Sequence, residues 1–245
     1  MQIAKRIYPL ALGAGIVIAG SSDPLLAQVA PPLGEAGTFA ALAGSTVTNT
    51  GASAVTGDVG VAPGTAITGF PPGTVVGGTL HSNDAVAQAA QGDLATAYGM
   101  LASQACNTDL TGTDLGGLTL TPAVYCFTTS AGLTGTLTLD AQGDPNAVFV
   151  FQLASTLTTA TAAEVVVING GSDCNVFWQV GSSMTLGGGT QFVGNTLALT
   201  SITLVTGASS NGALLASNGA VTMDTNQVAV CAPTIPVTLQ SFDID

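Results

Sequence analysis

Residues 176–224 read VFWQVGSSMTLGGGTQFVGNTLALTSITLVTGASSNGALLASNGAVTMD. Within them Met184-Thr185-Leu186, Ile202-Thr203-Leu204 and Val221-Thr222-Met223 repeat one pattern, a threonine between two apolar residues. Two earlier runs, Leu137-Thr138-Leu139 and Leu157-Thr158-Thr159, extend the series. The central threonines at 138, 158, 185, 203 and 222 are spaced by 20, 27, 18 and 19 residues, and the long step carries a loop at 170–174. Such alternation marks a strand with one face buried and the other in water. Segments 149–153, 177–180, 196–199 and 213–216 lie between the runs and are mostly apolar without alternation. That is the pattern of a strand covered on both faces. Several short strands per repeat of about twenty residues predict a solenoid. The expected fold is therefore mainly β: a right-handed β-solenoid (β-helix) with one long α-helix packed along one face. A β-sandwich would accommodate the strands but would leave the in-phase threonine runs unexplained.

The helix is predicted at about 82–105. Ala87, Ala90, Leu94, Ala97, Tyr98, Leu101 and Ala105 recur there at steps of three and four and form one apolar stripe. Ser82 or Asn83 is the expected cap, with Asp84 near the positive end of the helix dipole. Upstream, residues 31–80 are rich in Gly, Thr and Val, with turn clusters at Gly57-Asp58, Pro63-Gly64 and Pro71-Pro72-Gly73. They predict short strands. Segment 69–81 is expected to cap one end of the solenoid, where bare strand edges need cover. Lys5 and Arg6, the apolar stretch from Leu10 to Ala19 and the small residues that follow read as a secretory signal over residues 1–27. The expected solenoid domain is 33–231, exported as a monomer with no membrane contact after signal cleavage. The tail 232–245 lacks the repeat and ends acidic, which fits a disordered end or the remnant of a cell-surface attachment signal.

Charge narrows the functions. Only 7% of residues are charged, against about 25% in typical domains. Lys5 and Arg6 are the only basic residues, so the chain beyond the signal would carry 13 acids and no base. Nucleic-acid binding needs cations to neutralise phosphates and is not expected. A phosphate loop needs a Lys and an arginine clamp an Arg, so neither is expected. The four cysteines, Cys106, Cys126, Cys174 and Cys231, form no Cys-x-x-Cys pair, and the one His is remote from them, so no zinc site is expected. In an exported chain they predict two disulfides. Of three possible pairings, Cys106–Cys126 is favoured because it closes a short loop, with Cys174–Cys231 by remainder.

No enzyme, cofactor or metal is expected. Glycoside hydrolysis needs two carboxyl groups facing one bond. Asp109 and Asp114 are near in sequence but lie in a Gly/Thr-rich loop without an aromatic platform, and Asp140 and Asp224 are far apart in the repeat order. His81 precedes the helix and reads as a surface residue, Asp58 as a turn residue, and Trp178 as core. No Gly-x-Ser-x-Gly elbow occurs, and calcium-binding Gly-Gly-x-Gly-x-Asp repeats are absent.

The outward positions of the alternating strand form columns. The central one is Thr138, Thr158, Thr185, Thr203 and Thr222; two residues earlier stand Thr136, Thr156, Ser183, Ser201 and Ala220. Two residues later the column is mixed: Asp140, Ala160, Gly187, Val205 and Asp224. Thr161, Thr206 and Thr225 begin a weaker set at the following turn. Hydroxyls would be about 6.7 Å apart along a strand and about 4.8 Å apart between coils. Thr is stiff at χ1, so ordering it at a surface costs little entropy. The partner expected for a large uncharged lattice of methyls and hydroxyls is another lattice, ice or a crystalline polysaccharide. Thr is also simply favoured on the solvent face of any strand.

The chain resembles the microbial ice-binding (antifreeze) proteins of the DUF3494 type, which have a discontinuous β-solenoid and a long helix alongside. The carriers run from about Leu33 to Cys231. They are Leu33-Gly34-Glu35-Ala36-Gly37-Thr38-Phe39, Thr56-Gly57-Asp58-Val59-Gly60-Val61, Asp114-Leu115-Gly116-Gly117-Leu118-Thr119-Leu120, Asn175-Val176-Phe177-Trp178-Gln179-Val180 and the stretch from Thr203 to Gly212. The resemblance implies a secreted protein that adsorbs to ice through one flat solenoid face. A Thr-Ala/Gly-x-Thr/Asn motif is associated with that face in parts of the family. Thr206-Gly207-Ala208-Ser209 comes closest to it here, and Thr161-Ala162-Ala163-Glu164 ends in an acid. The expected ice-contacting residues are Thr136, Thr138, Thr156, Thr158, Ser183, Thr185, Ser201, Thr203 and Thr222, with Thr161, Thr206 and Thr225 as weaker members. The partner would be ice or its ordered surface water. A secreted structural or adhesion module that binds extracellular polysaccharide is the alternative.

Overall fold

The computed structural model of the protein describes residues 28–231. The expected signal at 1–27 and the tail at 232–245 lie outside the described residues. The chain winds into coils whose strands stack in parallel to form three sheets of nine, seven and eight strands. The nine-stranded sheet lies under the helix and is called the helix sheet. The seven-stranded sheet is called the threonine sheet, and the eight-stranded one the third sheet.

The coils are not stacked in chain order. Along the threonine sheet the strands run Ala131–Leu133, Leu157–Thr159, Met184–Leu186, Ile202–Leu204, Val221–Asp224, Thr46–Thr50 and Ala66–Thr68. The first coil of the chain thus sits on the last. All three sheets cross this seam: Ala41 pairs with Leu214, Thr48 with Thr222, and Val55 with Val228. Strands Thr74–Val76 and Leu80–Ser82 finish that end of the stack, within and beside the segment expected to cap it.

The helix spans Ala85–Ala102, shorter at both ends than the periodicity predicted. Asp84 is the cap, rather than Ser82 or Asn83: its carboxylate accepts from the Ala87 N–H at 2.9 Å, while Asn83 turns the chain with φ of 49°. Ala87, Ala90, Leu94, Ala97 and Leu101 are buried against Leu42, Val124, Val150, Phe177, Leu197 and Leu215, which are outward side chains of the helix sheet. This explains the strands that lack alternation, since one face lines the solenoid and the other lies under the helix. Eighteen helical residues reach about 27 Å. The nine strands beneath it make eight steps, about 38 Å, so the helix runs along most of the sheet. Gln152 Nε2 donates to the Leu101 carbonyl at 2.6 Å and to the Gln104 carbonyl at 2.9 Å, which fixes its far end. There Cys106 is bonded to Cys126, the favoured pair.

Inside the coils Tyr125, Phe151 and Trp178 occupy one stacked position on adjacent strands. Their rings are 5.4 Å and 4.0 Å apart, and Phe192 closes on Trp178 from the third sheet at 5.0 Å. Trp178 is core, as its sequence context implied. His81 is more covered than expected. It lies edge-on to Phe39, and its ring nitrogens are hydrogen-bonded to Thr79 and Asp84.

Four carboxylates tie turns together. Asp84 accepts from the Ala87 N–H and from His81, Asp109 from Thr111, and Asp140 from Asn169 and the Gln142 N–H; these bonds hold all three below the usual carboxylate range. At Asp114 burial acts upward, but donors from Gly116 and Thr134 outweigh it and the net shift is also down. A depressed carboxyl stabilises the fold above its unfolded value, about 3.9, and that stability is lost as pH falls through the folded value. Thermal melts are therefore expected to give a constant Tm down to about pH 5 and a falling one below about pH 4. A Tm unchanged to pH 2 would contradict these turns' role.

Candidate functional site

The three sheets present different outer surfaces. The helix covers the first. The third carries Thr136, Glu164, Gln191, Ser209, Gln227, Ala54 and Thr74 along one stacked position, and a groove of about 540 Å³ opens over it. The threonine sheet lies away from the helix's main contacts and is the most uniform in chemistry.

Its central column follows directly from strand pairing. Gly132 pairs with Thr158, Thr158 with Thr185, Thr185 with Thr203, and Thr203 with Thr222. Across the seam Thr222 pairs with Thr48, and Thr48 with Thr68. Six threonines thus stand on six successive strands. The apolar neighbours on each side point inward and pin the register, since a one-residue slip would turn Leu157, Met184, Leu186, Ile202, Leu204 and Val221 outward. Among the described residues, none of the six threonine hydroxyls makes a hydrogen bond within the protein. Each is left to solvent.

The flanking column is Ser130, Thr156, Ser183, Ser201, Ala220, Thr46 and Ala66, and its hydroxyls are partly engaged. Thr156 donates to Ser130 at 2.9 Å, while Ser183 and Ser201 accept from the N–H of Ser201 and of Ala220 at 3.3 and 3.1 Å. This column braces one coil to the next. On the other side stand Thr134, Ala160, Gly187, Val205, Asp224 and Thr50. Asp224 is the one charged side chain in the three columns, and it accepts hydrogen bonds from Thr206 and Thr225. Beneath that edge, buried Asn226 donates to the carbonyls of Val205 and Ala208 at 3.0 and 2.9 Å, and Asn49 to those of Gly51 and Gly69 at 2.9 Å. These amides satisfy carbonyls that the corner turns away from the ladders.

The structure therefore gathers Thr156, Thr158, Ser183, Thr185, Ser201, Thr203 and Thr222 on one surface. Thr161 and Thr206 stand at its edge, each just before a corner residue of positive φ, Ala162 and Gly207. Thr225 is itself such a corner residue, with φ of 54°, because its coil turns one residue sooner. Thr136 and Thr138 are corrected. They belong to Thr136–Asp140 on the third sheet, paired with Glu164 and Val166. Gly132 fills their coil's place in the central column, and Thr134 rather than Asp140 lies beyond it. Thr46, Thr48 and Thr68 join the surface from the N-terminal coils. Val47-Thr48 and Ile67-Thr68 carried half of the apolar-Thr-apolar signal.

A discontinuous parallel solenoid, buttressed by one helix and presenting a sheet of stacked hydroxyls with a single carboxylate at its edge, defines a surface-binding protein of the ice-binding class. The chain belongs to the Ice-binding-like family, whose profile matches residues 41–229. It is 60% identical to an ice-binding protein of Nostoc sp. (strain HG1) over 205 residues, 83% of this chain and 76% of that one. The crystal structure of an ice-binding protein from the Antarctic ascomycete Antarctomyces psychrotrophicus superposes with a TM-score of 0.81 at 44% identity, covering 84% of this chain and 100% of that one. That of an ice-binding protein from an Antarctic biological consortium gives 0.80 at 45% identity, covering 91% and 96%.

Proposed function

We propose that this protein is a secreted, non-enzymatic ice-binding protein whose threonine sheet adsorbs to ice. The observation that carries the face assignment is the column of six threonines without protein partners for their hydroxyls. A stiff array of this kind needs little further ordering on binding. The face spans about 29 Å along the stack, so many weak contacts can act together. Methyl groups exclude water between the hydroxyls, and the hydroxyls replace its hydrogen bonds with bonds to the ice surface. Ice growing between adsorbed molecules must curve, which lowers its local freezing point and blocks recrystallisation.

The support for ice as partner is family membership, and the support for export is the signal-like N-terminus. Purified protein is expected to open a gap between melting and freezing temperatures, to shape crystals and to slow their coarsening. Ice that neither reshapes nor resists coarsening, with tight binding to an insoluble polysaccharide, would instead favour the adhesion reading.

A further inference from the structure

Ile168 ends a strand of the third sheet, and Val176 begins one of the helix sheet. The loop between them passes over the corner and contains a short 3-10 turn, Asp173–Asn175. Its anchors come from later coils. Asn195 Nδ2 donates to the Cys174 carbonyl at 3.0 Å, and Asn211 Nδ2 to the Asp173 carboxylate at 2.8 Å. The loop is thereby drawn toward the coil that ends at Cys231. Cys174 and Cys231, the second pair expected from sequence, face each other there. Both residues are half-buried, within reach of a soluble oxidant. The preceding Val230 N–H donates to the Thr56 carbonyl at 3.0 Å, so Cys231 lies at the seam between first and last coils.

We propose that Cys174 and Cys231 close into a second disulfide in an oxidising environment, clamping the C-terminal side of the seam. The oxidant is a disulfide, either oxidised glutathione or a thiol–disulfide oxidoreductase. One cysteine thiolate attacks it, forming a mixed disulfide and expelling one thiol. The second cysteine sulfur then displaces the other thiol. The Cys174–Cys231 bond forms as two protons and two electrons pass to the oxidant, which ends as two thiols. Burial and the neighbouring Cys174 thiol push the Cys231 thiol up, which suits Cys231 to the second, resolving step. The loop's anchors hold Cys174 beside the later coils, so closure calls on the loop and the end of the last coil rather than on the stack itself.

The test uses the full chain, incubated with oxidised glutathione, alkylated in denaturant and digested with chymotrypsin, since no Lys or Arg follows Arg6. Mass mapping is expected to show Cys174 and Cys231 unalkylated and their peptides linked until reduction, alongside the linked Cys106 and Cys126 peptides. Alkylated Cys174 and Cys231 beside an intact Cys106–Cys126 link would overturn the proposal. Cys174→Ser, Cys231→Ser and the double variant are each expected to melt roughly 5–10 °C below the oxidised protein, with no added loss in the double. Additive losses in the two single variants would also count against a shared bond. Mapping the unaltered protein decides the matter even if a serine variant does not fold.

Discussion

Thr203→Tyr is expected to lose more than about ten-fold in ice activity, equivalent to about 1.4 kcal/mol or more of adsorption free energy, while the protein stays folded. Thr203 lies mid-column, paired with Thr185 on one side and Thr222 on the other. A tyrosine ring there stands well above the plane of methyls and hydroxyls. Threonines about 4.8 Å away on each side are then lifted off the ice together, so one ring removes several contacts. Surface substitutions of this kind change stability by no more than about 0.5 kcal/mol. The melting curve should therefore barely move. The same change at Thr48 should have a similar effect, although that residue is far from the others in sequence, because Thr48 pairs with Thr222 across the seam. Thermal hysteresis at matched concentration, with a melt of each variant, checks both.

Trp178→Ala should give the opposite division, a large loss of stability with the face chemically unchanged. Trp178 is fully buried, stacked on Phe151 at 4.0 Å, and its Nε1–H donates to the Val193 carbonyl at 3.0 Å. Truncation removes the ring, leaves a cavity in the middle of the coil stack and strips a half-buried carbonyl of its donor. The expected cost is about 3–5 kcal/mol. Tm should fall by roughly 10–15 °C. In the cold, where the variant is still folded, ice activity per molecule should approach that of the unaltered protein. Loss of activity in a variant with an unchanged melt would mean that this core does not merely support the face.

The C-terminal coils were legible because their repeat is short and their inward residues are apolar. The coil at 131–140 departs from the repeat for a definite reason. It holds two strands, Ala131–Leu133 and Thr136–Asp140, separated by a turn of two residues. The first strand has glycine where the column has threonine, so the Thr-centred pattern settled on the second strand, which belongs to another sheet. The N-terminal coils carry a weaker signal because their apolar frame is incomplete. Asn49 takes an inward place that Leu or Met fills elsewhere, and it is tolerated because its amide feeds the Gly51 and Gly69 carbonyls. Stacking order leaves no local trace at all. Nothing near residues 46–50 signals that they pair with 221–224, since the pairing is a property of the closed structure. Thr225 was shifted by one position because its corner is one residue shorter, a difference visible only in φ.

The face assignment rests on one contrast between two outward threonines, each on a strand of the same alternating type. Thr203 lies on the threonine sheet and Thr138 on the third sheet. The most direct measurement is to grow ice slowly from solutions of fluorescent-protein fusions of Thr203→Tyr and Thr138→Tyr, and to measure the share of each taken into the ice. Thr138→Tyr should enter the ice as the unaltered protein does, and Thr203→Tyr should stay in the liquid. Uptake of Thr203→Tyr with exclusion of Thr138→Tyr would place the ice-binding surface on the third sheet and contradict the account.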